Sequence, residues 1–257
     1  MIFVTTSHHP EAYQVEQAIK LAKELGVPYL SRRRNPNLLE KLDDDYCYVV
    51  EKDRVVVKWR GGCLFFHPSI AKVRMRNIRN GLKDHLIECL ELVGNEVILD
   101  TTLGLASEAI LMAAFLPNGK VVGLEASVPI YIVVREGLKN YKAKEDWINE
   151  AMKRIEVINA DFRKFIANSP DNSFDIVYCD PMFENPVFES SSMNPLRIFA
   201  KYDTVTQKDV DEMLRVARKK VVLKAHQEDT LFKRIKVHRL VGSKRSKVLY
   251  GVIEKEW

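Results

Sequence analysis

Short apolar, β-branched segments alternate with segments of helical periodicity from Val97 onward, and this alternation constrains the fold more than any other sequence feature. The strand-like segments are VILD, KVVGLEA, IEVINAD, FDIVYCD and KKVVLKA, and helical segments such as ASEAILMAAFL and TQKDVDEMLRVAR lie between them. Strands that alternate with helices predict a mostly parallel sheet with helices on both faces. The last two segments, FKRIKVHRLV and SKVLYGVIEK, are separated only by a short turn at Gly242-Ser243, which predicts a final antiparallel hairpin.

The residues before this sheet predict a smaller α/β domain and a connector. A strand in MIFVTT, a helix that begins at Pro10 and two strands in YCYVVEK and RVVVKW account for residues 1–66. Residues 67–93 are basic and helical, with a break at Gly81. We therefore expect a small α/β domain at 1–66, a basic helical connector at 67–93 and the main sheet domain at 94–257.

The composition argues against several classes of protein. No apolar run approaches the roughly 20 residues that span a bilayer, and the N-terminal residues MIFVTTSHHPEA lack the pattern of a secretion signal. The four cysteines are scattered without a CxxC pair, which argues against a zinc site or a disulfide framework. We therefore expect a cytoplasmic protein with reduced thiols, no bound metal and no membrane partner. The formal net charge of +5 weakly favours an anionic partner.

Acidic residues follow three successive strands of the predicted sheet, at the edge where open α/β sheets bind their ligands. Glu125 ends the second strand after Asp100 has ended the first, and an acid at that position accepts hydrogen bonds from ribose hydroxyls. Asp161 and Phe162 follow the third strand, and this pair suits the edge and the face of an adenine. A lone acid at a strand end is more often a helix cap or turn former. Three acids along one edge predict a nucleoside cofactor.

The loop after the first strand distinguishes between two nucleoside cofactors. It has one glycine, Gly104, with Thr102 and Ala106 at the flanking small positions. NAD enzymes prefer G-x-G-x-x-G at this point, and the present loop would crowd a pyrophosphate. The loop resembles that of S-adenosylmethionine-dependent enzymes, and a terminal antiparallel hairpin is a feature of methyltransferases of this fold. S-adenosylmethionine is therefore the predicted cofactor.

The fourth strand ends in Asp180-Pro181-Met182-Phe183, which resembles the Asp/Asn-Pro-Pro-Tyr/Phe motif of methyltransferases that modify exocyclic amines of nucleobases. Such an amine is a poor nucleophile because its lone pair is delocalised into the ring. The Asp180 carboxylate and the Pro181 carbonyl would accept its two N–H bonds and orient the lone pair toward the methyl donor. Phe183 would stack on the displaced base. A turn followed by a core aromatic is the alternative explanation of the same residues.

Four segments in this order and spacing make the resemblance specific: VILDTTLGLASEA, VVGLEAS, VYCDPMF and KVVLKAH. They are similar to the ribosomal RNA small-subunit methyltransferase J family, which methylates the exocyclic amine of a guanine. The resemblance implies a Rossmann-like methyltransferase sheet preceded by a small α/β domain, and RNA, free or in a ribosomal particle, as the partner. It places these residues at the cofactor: Ser107, Glu108, Glu125, Ala126, Asp161, Phe162 and Asp180. The chain departs from the family at Ala106, where the family has a second glycine, and at Ser107-Glu108, where it has Arg-Asp.

Basic residues on the connector and at the end of the fifth strand are the candidates for RNA contact. Arg74, Arg76 and Arg79 recur along the connector helix and are predicted to contact phosphates, although a basic helix is as often a solvated face. Lys224 ends the fifth strand and either holds a phosphate or pairs with an acid. Two alternatives stay open: an adenine amino-methyltransferase acting on DNA or RNA, and a non-catalytic RNA-binding protein of the same fold.

Overall fold

The computed structural model of the chain describes residues 1–35, 37–42, 45–182, 194–201, 204–243 and 247–255. Two compact units divide the chain: Met1–His67 with Ile132–Lys142 form the first unit, and Pro68–Tyr131 with Ala143–Trp257 form the second. The three-part division at residues 66 and 93 stays a prediction.

The first unit is built on a four-stranded sheet. Its elements are β1 Phe3–Thr6, helix α1 Ala12–Leu25, a 3₁₀ turn at Leu38–Lys41, β2 Tyr46–Val50, β3 Val55–Trp59 and β4 Gly62–Phe65. The strands lie in chain order, with β1 parallel to β2 and the other neighbours antiparallel. Helix α1 ends at Gly26, whose φ of +66° is the left-handed conformation that glycine tolerates. The buried core of the first unit includes Phe3, Cys47 and Val49.

The second unit is built on a seven-stranded sheet. Its strands are β5 Val97–Asp100, β6 Lys120–Glu125, β7 Ile155–Asn159, β8 Phe174–Cys179, β9 Ala217–His226, β10 Arg239–Ser243 and β11 Val248–Glu254. They lie in the order β10-β11-β9-β8-β5-β6-β7. The five strands from β5 to β9 are parallel, and β11 is antiparallel to both β9 and β10. The predicted Rossmann-like sheet with an antiparallel C-terminal hairpin is therefore confirmed.

Helices cover both faces of this sheet. The helices that follow β4 along the chain are α2 Ser69–Arg79, α3 His85–Leu90, α4 Ser107–Ala114, α5 Val128–Asn140, α6 Asp146–Met152, α7 Phe162–Ala167, α8 Asn194–Phe199, α9 Gln207–Val216 and α10 Leu231–Arg234. Residues 132–140 of α5 belong to the first unit. On one face, Leu99, Val177 and Leu223 pack against a core that includes Ile166 of α7 and Met213 of α9. Helices α3 and α4 contact strands, and α2 contacts α4. Because successive side chains of a strand point to opposite faces of the sheet, the residues that alternate with Leu99, Val177 and Leu223 point to the other face.

Two details of the sequence interpretation were wrong. The segment FKRIKVHRLV begins with helix α10 and not with a strand, because Leu231 and Ile235, four residues apart, are buried in the same core. Gly242 and Ser243 are not the hairpin turn but the end of β10, where they pair with Leu249 and Val248. A Cβ at Gly242 would lie 2.5 Å from the Val248 carbonyl oxygen, so this glycine permits close strand approach.

The expected helix break at Gly81 is present, since α2 ends at Arg79 and Gly81 has a φ of +82°. Among the described residues, no helix is both long enough and apolar enough to cross a membrane.

Candidate active site

The chain order of the strands reverses between β5 and β8, and the predicted site residues lie at the carboxyl ends of these strands and their neighbours. Two parallel strands lie on one side of β5, and β8 and β9 lie on the other. A crevice forms where consecutive connections leave in opposite directions, which is where open α/β sheets bind ligands. Asp100 ends β5, Glu125 ends β6 and Asp180 directly follows β8.

The loop after β5 is tied to β8 by hydrogen bonds. The Thr101 amide and hydroxyl both donate to the Tyr178 carbonyl oxygen, at 2.9 and 3.0 Å. The Asp180 amide donates to the Thr102 hydroxyl oxygen at 2.6 Å. Asp100 accepts from the Thr102 amide at 3.0 Å, and its side chain is almost completely buried. Burial raises the pKa of Asp100 to about 8, and nearby carboxylates add to the effect.

Two residues of this loop have left-handed backbone conformations. Gly104 has a φ of +52°, and Ala106, immediately before α4, has a φ of +59°. An alanine pays a steric cost there that a glycine does not. This conformation accounts for the second glycine that the resemblance implies at this position. Ser107 follows as the first residue of α4 and is buried.

Glu125 is held in place by backbone donors on both carboxylate oxygens. Its Oε2 accepts from the Gly104 amide at 3.1 Å, and its Oε1 accepts from the Ser127 amide at 2.8 Å. Burial raises the pKa of Glu125 to about 7, although these backbone bonds oppose the rise. Ala126 lies between Glu125 and Ser127, on the turn that these bonds fix. Each carboxylate oxygen keeps a lone pair for a further donor.

Asp161 and Phe162 lie one strand further along the same edge. Asn159, at the end of β7, is paired with Glu125 in the sheet and donates to its carbonyl oxygen at 2.7 Å. Asp161 caps α7 by accepting from the Arg163 amide at 3.1 Å. Phe162 packs partly buried against the core, with the Arg163 guanidinium 4.8 Å from its ring centre. The structure thus also gives Asp161 the capping role that sequence reasoning had weighed as the ordinary alternative.

A chain of alternating charges lies beside Asp180. The Lys224 ammonium is 2.6 Å from Asp180 Oδ2 and 3.2 Å from Glu108 Oε1. Glu108 Oε1 is in turn 3.1 Å from the Arg74 guanidinium. Arg74 binds both oxygens of Asp84 at 2.8 Å. We call these five residues the charge chain.

The charge chain corrects the prediction for Arg74. Its side chain is only 17% exposed, and its guanidinium is engaged by Asp84 and Glu108, so Arg74 is not placed as a phosphate contact. Of the two partners considered for Lys224 from the sequence, a phosphate or an acid, the structure shows an acid. Arg76 and Arg79 lie exposed on α2, with the Arg79 guanidinium 5.8 Å from the Trp147 ring centre, and their RNA contact stays a prediction.

Burial and ion pairing shift the pKa values of the charge-chain residues in opposite directions. Burial raises the pKa of Asp180, and the Lys224 ammonium opposes the rise. For Glu108, burial is outweighed by Lys224 and Arg74, and its pKa is lowered. The pKa of Lys224 is raised because its two acidic partners outweigh burial. Such a network is stable only as a set, because removing one member leaves a buried charge.

Other features of the site were missed or fall outside the described residues. Sequence reasoning did not identify Asp84, whose position ten residues after Arg74 carries no recognisable spacing. Pro181 and Met182 are partly buried at the end of the described segment, and Phe183 lies outside the described residues. No group of three or more His, Cys, Asp or Glu side chains in the described part of the chain could hold a metal ion.

Comparisons with known proteins agree on the kind of enzyme that carries this site. A protein-family model described as "Putative SAM-dependent methyltransferase" matches residues 63–248. The protein YpiP of Bacillus subtilis, whose function is uncharacterized, is 35% identical over 254 residues, which is 98% of each chain. The ribosomal RNA small subunit methyltransferase J of Psychrobacter cryohalolentis is 23% identical and matches 67% of this chain and 60% of its own length.

Two further comparisons limit how far the likeness extends. The enzyme of the same name from Francisella tularensis subsp. novicida is 28% identical over 142 residues, or 54% of this chain and 57% of its own length. The chain thus spans less than two thirds of these two named methyltransferases. A crystal structure of a SAM-dependent methyltransferase from Neisseria gonorrhoeae superposes with a TM-score of 0.66 over 99% of this chain and 96% of its own, at 13% identity. That likeness shows the fold.

Proposed function

This chain belongs to the family of SAM-dependent methyltransferases, and on that premise we propose that it methylates the exocyclic amine of a nucleobase, a guanine of small-subunit ribosomal RNA. S-adenosylmethionine is its cofactor, and it supplies an electrophilic methyl group on a sulfonium. The observation that carries the proposal is the position of Asp180, which follows β8 at the strand-order reversal, beside the loop that binds Glu125.

The residues around Glu125 fit the cofactor. Its two carboxylate oxygens are fixed by the Gly104 and Ser127 amides, so they would meet a ribose diol without rearrangement. The left-handed Gly104 and Ala106 keep the loop backbone close to that carboxylate. The roles of Asp161 and Phe162 at the adenine are part of the same proposal.

Asp180 and Pro181 would hold the target amine. Asp180 Oδ2 is engaged by Lys224, and among the described residues Oδ1 accepts no hydrogen bond. One carboxylate oxygen would therefore accept one amine N–H bond, and the Pro181 carbonyl would accept the other. With both hydrogens held, the nitrogen lone pair is directed out of the base plane, and orientation supplies much of the rate. Phe183 would stack on the base.

Two observations support RNA as the substrate. Relatives at 23% and 28% identity are named as small-subunit ribosomal RNA methyltransferases. Arg76 and Arg79 are exposed on α2, in the same unit as the site, where they would bind phosphates.

The test is methyl transfer from labelled S-adenosylmethionine to purified small-subunit ribosomal RNA, followed by identification of the modified nucleoside. We expect an N-methylated guanosine from the parent protein. Asp180→Ala should lower the rate by orders of magnitude, and Asp180→Asn should lower it less because an amide keeps one acceptor oxygen. Asp171→Ala is the matched control, because that aspartate is 67% exposed and pairs with Arg215 at the opposite end of β8.

The outcomes separate the alternatives. If the modified nucleoside is a methylated adenosine, the target base is adenine and not guanine. If the label appears in DNA and not in RNA, the substrate is DNA. Cofactor binding without transfer to any nucleic acid would favour a non-catalytic RNA-binding protein. If the folded Asp180→Ala variant works at the parental rate, the motif is only a turn.

A further inference from the structure

We propose that Lys224 is a positioning residue, which holds the Asp180 carboxylate as an anion and turns one of its oxygens toward the target amine. The inference rests on the proposed function, because it assigns Asp180 the task of accepting the amine hydrogens. Sequence reasoning offered Lys224 only a phosphate or an unspecified acid as partner, so this role is new to the structure.

The geometry places the Lys224 ammonium directly beside the Asp180 carboxylate, with Glu108 as its second acidic partner. Strands β8 and β9 are parallel neighbours, with Cys179 paired to Leu223, so Asp180 and Lys224 are the next residues along both strands. The ammonium contacts Asp180 Oδ2 at 2.6 Å. The Asp180 amide is fixed at the same time by the Thr102 hydroxyl oxygen. Backbone and side chain of Asp180 are thus both anchored, and the orientation of the remaining oxygen is determined.

The surroundings of Asp180 make a cation necessary. Among the described residues, the titratable and charged groups that act on it or face it are Asp100 from β5, Glu108 from α4, Arg74 from α2, Tyr178 and Cys179 from β8, Lys224 from β9 and Tyr250 from β11. Two of these are further carboxyl groups, and burial by itself disfavours a charged Asp180. Arg74 is already held by both oxygens of Asp84. Among the described residues, Lys224 is therefore the cation in direct contact with Asp180.

The protonation state of Asp180 decides what it can do. An ionised carboxylate only accepts hydrogen bonds, whereas a protonated one also donates from its O–H. A donated hydrogen would compete with the amine N–H bonds and leave the nitrogen lone pair misdirected. Without the Lys224 ammonium, burial and the neighbouring acids would raise the pKa of Asp180 further and favour its protonated form.

The first test compares pH–rate profiles of methyl transfer for the parent, Lys224→Met and Lys224→Arg. In Lys224→Met we expect the acidic limb to move up by about 1–3 pH units, the range that an adjacent opposite charge produces. Lys224→Arg should restore most of the parental profile, because it keeps the charge. The matched control is Lys220→Met, which also removes a buried lysine of β9 that pairs with acids, Glu91 and Glu254, at the other end of the strand. Lys220→Met should keep the parental profile.

The second test does not depend on activity. The Asp180 carboxyl is titrated by ¹³C NMR in aspartate-labelled protein, with Asp180→Asn used to assign the signal. The Asp180 pKa should be about 1–3 units higher in Lys224→Met than in the parent. If Lys224→Met does not fold, the double variant Glu108→Gln with Lys224→Gln removes one acid together with the cation and takes its place.

The two tests separate this inference from the proposed function. A parent protein that methylates no nucleic acid overturns the proposed function, while the NMR titration still decides whether Lys224 controls Asp180. An active parent whose pH profile and Asp180 titration are unmoved by Lys224→Met overturns the positioning role. Adding Lys224→Met to Asp180→Asn should cost no further activity, and a full additional loss would show that Lys224 acts elsewhere.

Discussion

Binding of S-adenosylmethionine should weaken as the pH falls through about 7, because Glu125 accepts both ribose hydroxyls only as a carboxylate. Burial raises the pKa of Glu125 to about 7 in the free protein. When only the carboxylate form binds, the apparent dissociation constant increases by the reciprocal of the deprotonated fraction, which is about 1.1-fold at pH 8, about 2-fold at pH 7 and about 11-fold at pH 6. The sign is fixed: the ligand binds the deprotonated form, so binding releases a proton and is favoured at higher pH.

The matched variants are Glu125→Gln and Glu156→Gln. The amide cannot titrate, and the loss of charge-assisted hydrogen bonds should weaken binding at pH 8 by on the order of 10- to 100-fold. Glu156 is an exposed residue of the neighbouring strand β7, paired with Lys120, and its variant should behave as the parent.

Isothermal titration calorimetry between pH 6 and 8 measures these affinities. The titration of the ligand's own amine affects both proteins equally, so dividing the parent affinity by the Glu125→Gln affinity at each pH removes its effect. This ratio should shrink about tenfold from pH 8 to pH 6. A ratio that is constant across this range would refute the role of Glu125 at the ribose or its raised pKa.

Three further predictions concern stability and RNA binding. The pKa of Asp100 is about 8 in the fold against 3.8 for the free side chain. The contribution of Asp100 to the free energy of unfolding is therefore fully present below about pH 4. It is lost as the pH rises from there through 8. Asp100→Asn should unfold at higher urea than the parent at pH 8 and nearly equally at pH 4, and a difference independent of pH would contradict this. Ala106→Gly should raise the free energy of unfolding by about 1 kcal/mol in the same assay, because it relieves a left-handed φ, and a loss of stability would contradict the strain. Arg76→Gln with Arg79→Gln should lower the slope of log K against log salt for RNA binding by about 1–2, with cofactor affinity unchanged, and an unaltered slope would make this face a solvated one.

The sheet was predictable because its strands are nearly continuous apolar runs. Each strand of a parallel sheet is covered on both faces, so segments such as VILD and FDIVYC stand out from the sequence around them. Acids at the ends of such runs could then be located without coordinates. Where the strand pattern was weak, as in FKRIKVHRLV, a helical spacing of two buried residues prevailed.

The charge chain was not predictable in the same way, because its contacts join residues far apart in sequence. Arg74 was grouped with Arg76 and Arg79 as one basic surface, yet it lies beside the buried Ala71 and Met75 on the inner face of α2. Helical spacing separates these faces, and it could have distinguished Arg74 from its neighbours. That its partners are Asp84 and Glu108 follows only from the packing of three helices, which no local pattern encodes.

Lys220, which is buried, and Lys224, which is partly buried, also bear on how the second unit assembles. Their partner carboxylates are Glu91 and Glu254 for Lys220, and Glu108 and Asp180 for Lys224. Glu91 and Glu108 precede these lysines by 129 and 116 residues along the chain. An ammonium group enters a low-dielectric interior at a prohibitive cost unless its partners arrive with it. We therefore expect β9 to join the sheet only after α3 and α4 have reached its face, so that the middle of the sheet closes in a late, cooperative step and refolding is slow for a chain of this size.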